Sequence, residues 1–171
     1  FGCVRWARKR GHDLRVTAVD NHETTLDLAR EHVRANPDVA DAITIEEGDA
    51  RRLADEHGPG AFDYAHAGMF LHHLPDIEVL TVVRVMERVA QRGIVVNDLV
   101  RSGVAYAAIT ALTLPLGRMV RHDARVSVLK GFTRAEVMGV ARRLDLDWCE
   151  YQRSFVHQRF TLAGEKPRAW R

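Results

Sequence analysis

The sequence predicts an α/β fold with a Rossmann-like, doubly wound sheet whose strands are mostly parallel and whose C-terminal strand is antiparallel. Short apolar, β-branched runs alternate with amphipathic helical segments, as in folds built from parallel strands joined by helices. The aromatic and β-branched tail lacks helical periodicity, so we expect two antiparallel strands joined by a turn at the end of the sheet. We expect residues 1–171 to form a single domain, because this length can bury one sizeable core.

The N-terminal third is predicted to form a helix, a strand, a helix and a strand. Residues 1–11 resemble the end of a helix that Gly11 caps. Residues 14–20, LRVTAVD, form a short apolar strand, and a helix follows over residues 22–36. Residues 42–50 form the next strand. Four apolar residues of the second helix are expected to face inward: Leu26, Leu28, Ala29 and Val33.

The middle of the chain continues this alternation. Residues 62–68, FDYAHAG, and residues 93–99, GIVVNDL, are predicted strands. Between them, residues 76–90 form a strongly apolar helix, with Asp76 as its N-cap. Residues 100–131 form a long connection.

The C-terminal part contains the best-defined helix start in the chain. Thr133 and Glu136 have the spacing of a capping box. Phe132 and Val137 have the spacing of a hydrophobic staple. A helix therefore begins after Thr133, and residues 146–165 supply the two final strands.

Composition and charge disfavour several function classes. The formal net charge is +2, and the 22 Arg and 3 Lys side chains are scattered among 23 acids, so the chain lacks the basic footprint of a nucleic-acid binder. The longest charge-free run, residues 102–117, is too short to span a bilayer and contains Pro115. Cys3 and Cys149 have no metal-binding spacing, and no secretory signal is visible, so we expect free thiols in a cytoplasmic protein.

Two predicted strands end in acids. Ligands of open parallel sheets bind beyond the carboxyl ends of the strands, where the Asp20 carboxylate can accept both hydroxyl hydrogens of a ribose. The alternative is that Asp20 is a turn or helix-capping residue. Gly48 allows a close backbone approach, Asp49 can accept a hydrogen bond from an exocyclic amine, and Ala50 can offer its N–H to a ring nitrogen. Residues 48–50 can therefore bind an adenine edge.

This ordered set of stretches resembles the class I S-adenosylmethionine-dependent methyltransferases. The matching stretches are LRVTAVD, EEGDA, FDYAHAGMFLHHLPD, GIVVNDL and the two-strand tail, which together cover nearly the whole chain. The most specific element is FD…LHHLPD followed by an apolar helix. The resemblance implies S-adenosylmethionine as the cofactor. The cofactor-binding residues that it implies are Asp20 at the ribose, Gly48, Asp49 and Ala50 at the adenine, Ala67 and Gly68 at the methionine moiety, and Asn21 next to Asp20.

One part of the family pattern has no counterpart. The family's first strand and its glycine-rich loop should precede the first helix, but the sequence opens inside that helix. The strand normally lies mid-sheet, between residues 14–20 and residues 62–68. Its absence would leave two inner edges with unpaired backbone groups. We therefore expect an N-terminally incomplete domain, whose missing segment belongs to a longer polypeptide or comes from another chain.

Three histidines are candidate general bases. Methyl transfer is an in-line displacement in which the protein mainly positions the nucleophile, so a base is needed only for a hydroxyl of high pKa. His72 and His73 follow the third strand, and one of them is expected to face the cleft. The alternative is that one packs under the loop and the other is solvated. His122 lies in the long connection, where Asp123 could orient it, and a surface turn is the alternative.

The fourth strand ends in two polar residues that are expected to point to the same cleft, Asn97 and Asp98. Asp98 either binds a substrate hydroxyl or, as we prefer, caps the next helix. No metal site is expected, because the spacing of His66, His72 and His73 does not fit one helical face.

The predicted function is methyl transfer from S-adenosylmethionine to oxygen or carbon of a small, hydrophobic or aromatic acceptor. Residues 100–131 are expected to cover the substrate, since VAYAAITALTLPLG would place aliphatic surface over the cleft. The alternative is that this run forms a core helix or the interface of a possible homodimer. The stretches NDLVRS and VRHDARVSVLKGFTRAEV are similar to a bacterial small-molecule subgroup of secondary metabolism. Two alternatives stay open: an NAD-dependent oxidoreductase, and a degenerate methyltransferase fold acting as a binding or scaffold subunit.

Overall fold

The computed structural model describes residues 1–167. They form two compact units, here called unit 1 (residues 1–53) and unit 2 (from residue 54 onward). Unit 1 contains a sheet of two parallel strands, and unit 2 contains a sheet of four strands. The predicted α/β fold, with parallel strands and an antiparallel C-terminal strand, is confirmed. The assignment of residues 1–171 to one domain stays a prediction.

Unit 1 has the predicted order of helix, strand, helix and strand. Its elements are α1 (Gly2–Lys9), β1 (Val16–Asp20), α2 (Glu23–Arg34), a 3-10 turn (Ala40–Ala42) and β2 (Ile43–Glu47). A short helix, α3 (Leu53–Glu56), follows at the boundary with unit 2. In the parallel pair β1–β2, Asp20 lies opposite Glu47, so the two strands end side by side.

A small apolar core stabilises unit 1. Val4 of α1 and Val39 are fully buried, and Val16 of β1 packs against them. Leu26 of α2 is also buried, whereas Leu28 is 53% exposed. The prediction that Leu28 faces inward is wrong, because two residues along a helix are separated by roughly 200° around its axis.

Gly11 ends α1 as predicted. Its φ is 73°, a left-handed conformation that glycine adopts without a Cβ clash. The N–H of His12 donates to the Ala7 carbonyl at 3.0 Å, and the N–H of Gly11 donates to the Arg8 carbonyl at 3.1 Å. This pair of bonds is a Schellman motif, which satisfies carbonyls that the helix end leaves free.

Unit 2 is built on a sheet with the strand order β3-β4-β6-β5. Its strands are β3 (Phe62–Gly68), β4 (Ala90–Leu99), β5 (Glu150–Ser154) and β6 (Arg159–Glu165). Its helices are α4 (Asp76–Val89), α5 (Gly103–Leu112), α6 (Arg118–Lys130) and α7 (Arg134–Arg143), and a 3-10 turn spans Leu71–His73. β3 and β4 are parallel, whereas β6 is antiparallel to both β4 and β5.

The core of unit 2 lies where helices α4 and α7 cover the sheet. Ile94 and Val96 on β4 and Leu162 on β6 are at most 2% exposed. A small cavity in this core is lined by apolar side chains alone: Leu71, Val79, Val83, Val96, Phe132, Val137, Val140, Phe160 and Leu162. Gly164 allows a close backbone approach, since a Cβ there would lie 2.2 Å from the Trp148 carbonyl oxygen.

Two element predictions need correction. α4 begins at Asp76 and its N-cap is Pro75, so Asp76 is a first-turn residue whose charge suits the helix dipole and not the cap itself. The long connection is largely helical, because it contains α5 and α6 joined by a short turn. We call this pair of packed helices, residues 103–130, the helical hairpin.

The predicted start of α7 is confirmed. The Thr133 hydroxyl accepts the N–H of Glu136 at 3.3 Å, and the Glu136 carboxylate accepts the N–H of Thr133 at 2.8 Å. Phe132 and Val137, the predicted staple residues, both line the apolar cavity.

β1 and β3 each have one unpaired edge. Within residues 1–167, β1 pairs only with β2, and β3 pairs only with β4. The predicted intervening strand stays a prediction.

Candidate functional site

The acids predicted to bind a nucleoside lie together at one edge of unit 1. Because Asp20 and Glu47 are opposite each other in the parallel pair, residues 48–50 leave the sheet beside the end of β1. The N–H of Gly48 donates to the Asp20 carbonyl at 3.0 Å. This backbone bond holds the two predicted segments in contact.

The Asp20 carboxylate has one partner and one free oxygen. Its Oδ1 accepts the N–H of His22 at 2.8 Å, in a turn that leads into α2. Its Oδ2 makes no hydrogen bond within residues 1–167. Asn21 is exposed in the same turn. Asp20 is thus a turn residue, which was the alternative to ribose binding. Its second carboxylate oxygen is still available to a ribose hydroxyl.

Asp49 is held by Arg51. The guanidinium donates to both carboxylate oxygens at 2.6–3.0 Å, and this hydrogen bonding lowers the pKa of Asp49. The carboxylate is therefore charged and fixed in orientation at neutral pH. The N–H of Ala50 donates no hydrogen bond within residues 1–167, so it is available to a ring nitrogen.

The exit of β3 in unit 2 carries the other two predicted cofactor-binding residues. Ala67 is buried and Gly68 is exposed. A Cβ on Gly68 would lie 2.8 Å from the ring of His66, so the space beside Gly68 is partly occupied by that imidazole. Met69 follows with a φ of 55°, an unusual conformation for a bulky residue. Its N–H donates to the Asn97 carbonyl at 2.8 Å.

A buried histidine–aspartate pair lies at the same end of the unit 2 sheet. The side chain of Asp98, on β4, is 0% exposed and that of His72 is 3% exposed. Asp98 Oδ1 lies 2.6 Å from His72 Nδ1 and accepts the N–H of Leu99 at 2.7 Å. Asp98 Oδ2 accepts the N–H of His72 at 3.2 Å. One carboxylate therefore ties the turn after β3 to the end of β4.

His73 has a different environment from its neighbour. It is exposed, and its ring centroid lies 4.0 Å from that of His72. Partial burial, followed by the proximity of His72, lowers the pKa of His73. This is the alternative arrangement considered for the pair, with one histidine packed under the loop and the other solvated.

The third candidate base lies elsewhere in unit 2. His122 and Asp123 are exposed residues of α6, so the predicted surface turn is helical. No hydrogen bond joins their side chains among the described residues. The prediction that Asp123 orients His122 is wrong, because adjacent residues of a helix point in different directions.

The two polar residues at the end of β4 also need correction. The Asn97 amide nitrogen donates to the Phe160 carbonyl at 2.9 Å and lies 3.1 Å from the Thr161 hydroxyl, so its side chain binds β6. Asp98 does not cap the next helix. Ser102 does so, since its hydroxyl accepts the N–H of Ala105 at 3.0 Å.

In residues 1–167, no three His, Cys, Asp or Glu side chains are grouped so that they could hold a metal ion. None of the helices in this range has the length and apolar character needed to cross a membrane. Cys3 and Cys149 are both free thiols, as predicted.

Comparison with known proteins identifies the family. A family model described as a methyltransferase domain matches residues 2–93, which is more than half of the 171 residues. The chain belongs to this methyltransferase domain family. Among curated proteins, no sequence matches this methyltransferase domain significantly.

Several solved structures share the fold of this methyltransferase domain. One is a candidate O-methyltransferase from Nostoc punctiforme PCC 73102, with a TM-score of 0.66, 16% identity and coverage of 96% of this chain and 48% of that one. Another is magnesium protoporphyrin IX methyltransferase from Synechocystis PCC 6803, with a TM-score of 0.63 and 12% identity. The match covers 97% of this chain and 81% of that one. A third is an O-methyltransferase family 2 protein from Planctomyces limnophilus DSM 3776, with a TM-score of 0.60 and 18% identity. The match covers 90% of this chain and 43% of that one. The chain thus spans about half the length of the first structure.

Sequence reasoning missed two features of the methyltransferase domain. The pairing of His72 with Asp98 joins residues 26 positions apart, and the sequence offered only two adjacent histidines and a strand-end acid as signals. Nothing in the sequence indicated the left-handed backbone conformation of Met69, because a bulky residue after glycine does not predict that conformation.

Proposed function

We propose that the complete protein transfers a methyl group from S-adenosylmethionine to oxygen or carbon of a small, largely apolar or aromatic acceptor. The observation that carries the proposal is the carboxyl edge of unit 1, where Asp20 ends β1 and Asp49 follows the end of the neighbouring parallel strand β2. Family membership supports it. The Synechocystis structure contains SAH and the Planctomyces structure contains apigenin, and we extend both ligand classes to this chain.

The residues of unit 1 are assigned to the adenosine part of the cofactor. The free Oδ2 of Asp20 would accept a ribose hydroxyl, with Asn21 beside it. The oriented Asp49 carboxylate would accept from the exocyclic amine, and the free N–H of Ala50 would donate to a ring nitrogen. Gly48 has no side chain to block the ligand.

The residues of unit 2 are assigned to the methionine part and to the acceptor. Backbone at Ala67 and Gly68 would lie against the methionine part. S-adenosylmethionine supplies a methyl group on a sulfonium, which a nucleophile displaces in line. His73 is the best-placed candidate base, because it is exposed and its lowered pKa keeps it neutral at pH 7. His72 is assigned a positioning role, and His122 stays a candidate.

Calorimetric binding of S-adenosylhomocysteine to the complete protein tests the cofactor assignment. Asp20→Ala and Asp49→Ala should each weaken binding by roughly 10- to 100-fold, because each removes a hydrogen bond to a charged group. Arg51→Gln should weaken binding less than either change, since it removes the group that orients Asp49 but keeps the carboxylate itself. Asp27→Ala, which removes an exposed acid on α2, is the matched control. Unchanged affinity in the Asp20→Ala/Asp49→Ala double variant would contradict the assignment.

Turnover separates an enzyme from a binding subunit with a degenerate fold. The complete protein is incubated with labelled S-adenosylmethionine and a small-molecule extract of its host. We expect label in an organic-soluble product. Cofactor binding without labelled product would favour the binding subunit, and a melting-temperature shift by NAD alone would favour the oxidoreductase.

A further inference from the structure

The turn that joins α5 to α6 carries a group of exposed apolar side chains. We call residues 111–121 the hairpin tip; among them only Thr113 is buried. Five large apolar side chains of the hairpin tip are 47–77% exposed: Leu112, Leu114, Leu116, Met119 and Val120. Single apolar residues on a protein surface need no explanation, but a contiguous exposed group marks an interaction site.

Both ends of the helical hairpin are anchored at the carboxyl end of β4. The N–H of Arg101 donates to the Phe132 carbonyl at 2.9 Å, and the N–H of Phe132 donates to the Leu99 carbonyl at 2.9 Å. Helix α5 has ten residues, so it extends about 15 Å from this anchor to the hairpin tip. The anchor lies at the end of the unit 2 sheet where the acceptor is proposed to bind.

The backbone of the turn is already hydrogen-bonded within the hairpin. The N–H groups of Thr113, Leu114 and Leu116 donate to hairpin carbonyls at 2.9–3.3 Å, and Pro115 has no N–H. The buried Thr113 hydroxyl donates to the Ile109 carbonyl at 2.7 Å. Unpaired polar groups make a backbone segment costly to remove from water. From residue 113 to residue 116 the turn has no free N–H, so this cost is small.

Positive charge accompanies these apolar side chains. Residues 99–122 contain no acid, and Arg118 and Arg121 lie in the hairpin tip. Neither guanidinium forms a salt bridge or a side-chain hydrogen bond within residues 1–167. The helical hairpin contains four Arg and Lys residues and one Asp, so its formal net charge is +3, whereas the rest of the chain carries −1. Apolar side chains beside unpaired cations are typical of segments that bind anionic lipid surfaces.

We propose that the hairpin tip docks on the surface of an anionic lipid bilayer. Its five exposed apolar side chains enter the boundary between headgroups and acyl chains, and Arg118 and Arg121 contact lipid phosphates. A second copy of the chain fits less well, because a two-fold contact would place the same cationic tip on both sides without an acid inside it. Docking brings the carboxyl end of the unit 2 sheet towards a source of apolar acceptors. The inference goes beyond the proposed function, since lipid binding does not require methyl transfer.

Flotation of the complete protein with lipid vesicles tests the docking. One set of vesicles contains phosphatidylcholine alone, and the other contains phosphatidylcholine mixed with phosphatidylglycerol. We expect the wild type to bind the anionic vesicles at least about tenfold more tightly than the neutral ones, and added salt to weaken this binding. Leu114→Ser/Met119→Ser should weaken binding to the anionic vesicles by at least about tenfold. Arg118→Gln should weaken it by about fivefold.

The matched control is Leu28→Ser/Ile77→Ser, which removes two exposed apolar side chains outside the hairpin and should bind vesicles like the wild type. Every replaced side chain is exposed, so all variants should unfold at the wild-type temperature. Absence of wild-type flotation, or equal binding by Leu114→Ser/Met119→Ser, would overturn the inference. A dimer in sedimentation velocity that this double variant abolishes would also overturn it, because the tip would then bind a second copy. Calorimetric binding of S-adenosylhomocysteine without lipid reports separately on the proposed function.

Discussion

At the scale of single residues, Asp98 carries the largest expected effect on stability. Its fully buried carboxylate accepts bonds from Leu99 and from both the backbone and the ring of His72. Asp98→Asn should lower the free energy of unfolding by about 3 kcal/mol, because breaking one partner of a buried pair leaves the other desolvated. Urea denaturation measures this change. Asp63→Asn, at an exposed position on β3, is the control, and an equally small change in both variants would contradict the pairing.

A second prediction at this scale concerns the pH dependence of turnover. If His73 is the base, its neutral form is active, and activity falls as pH drops through its pKa. Partial burial and His72 lower that pKa, so the acidic limb of the pH–rate profile should lie below the ordinary value of about 6.5. His73→Gln should remove the limb, whereas His157→Gln, in the exposed β5–β6 turn, should retain it. A limb that survives in His73→Gln would exclude this base.

At the scale of elements, the capping box of α7 gives a prediction with a known magnitude. Thr133→Ala removes the hydroxyl that accepts the N–H of Glu136 and should destabilise the fold by about 1 kcal/mol. Thr24→Ala, at an exposed position in α2 that caps nothing, should change stability by less than about 0.5 kcal/mol. Thermal and urea unfolding provide the measurements. Similar losses in the two variants would mean that the α7 cap contributes no specific stability.

The elements also show how far sequence reasoning reaches. The strands and the start of α7 were predictable, because β-branched runs and the Thr133–Glu136 spacing act within a few residues. The buried residues of α2 were only partly predictable, since Leu26 is buried whereas Leu28 lies on the opposite side of the helix and is exposed. The roles of Asn97 and Asp98 were not predictable, because their partners lie on elements distant in sequence. Tertiary partners override local tendencies such as helix capping at these positions.

At the scale of the whole molecule, the unpaired edges of β1 and β3 predict self-association. Each edge presents backbone donors and acceptors without a partner within residues 1–167, and such edges pair with other chains. Residues 1–171 expressed alone should therefore show concentration-dependent association in sedimentation velocity. Ala18→Lys, which places a charge at an exposed position of β1, should reduce it. Ala35→Lys, at the exposed end of α2, controls for the added charge, and a monomer at every concentration would contradict the prediction.

The bond network around Asp98 has a consequence for ligand recognition. Displacing the Leu71–His73 turn from β4 would leave the buried Asp98 carboxylate without its His72 partner. The turn is therefore held in place before any small molecule binds. If this turn borders the acceptor site of the proposed function, acceptors must conform to it, and evolutionary changes of substrate preference should concentrate in the helical hairpin, where substitutions leave the hydrogen bonds of Asp98 intact.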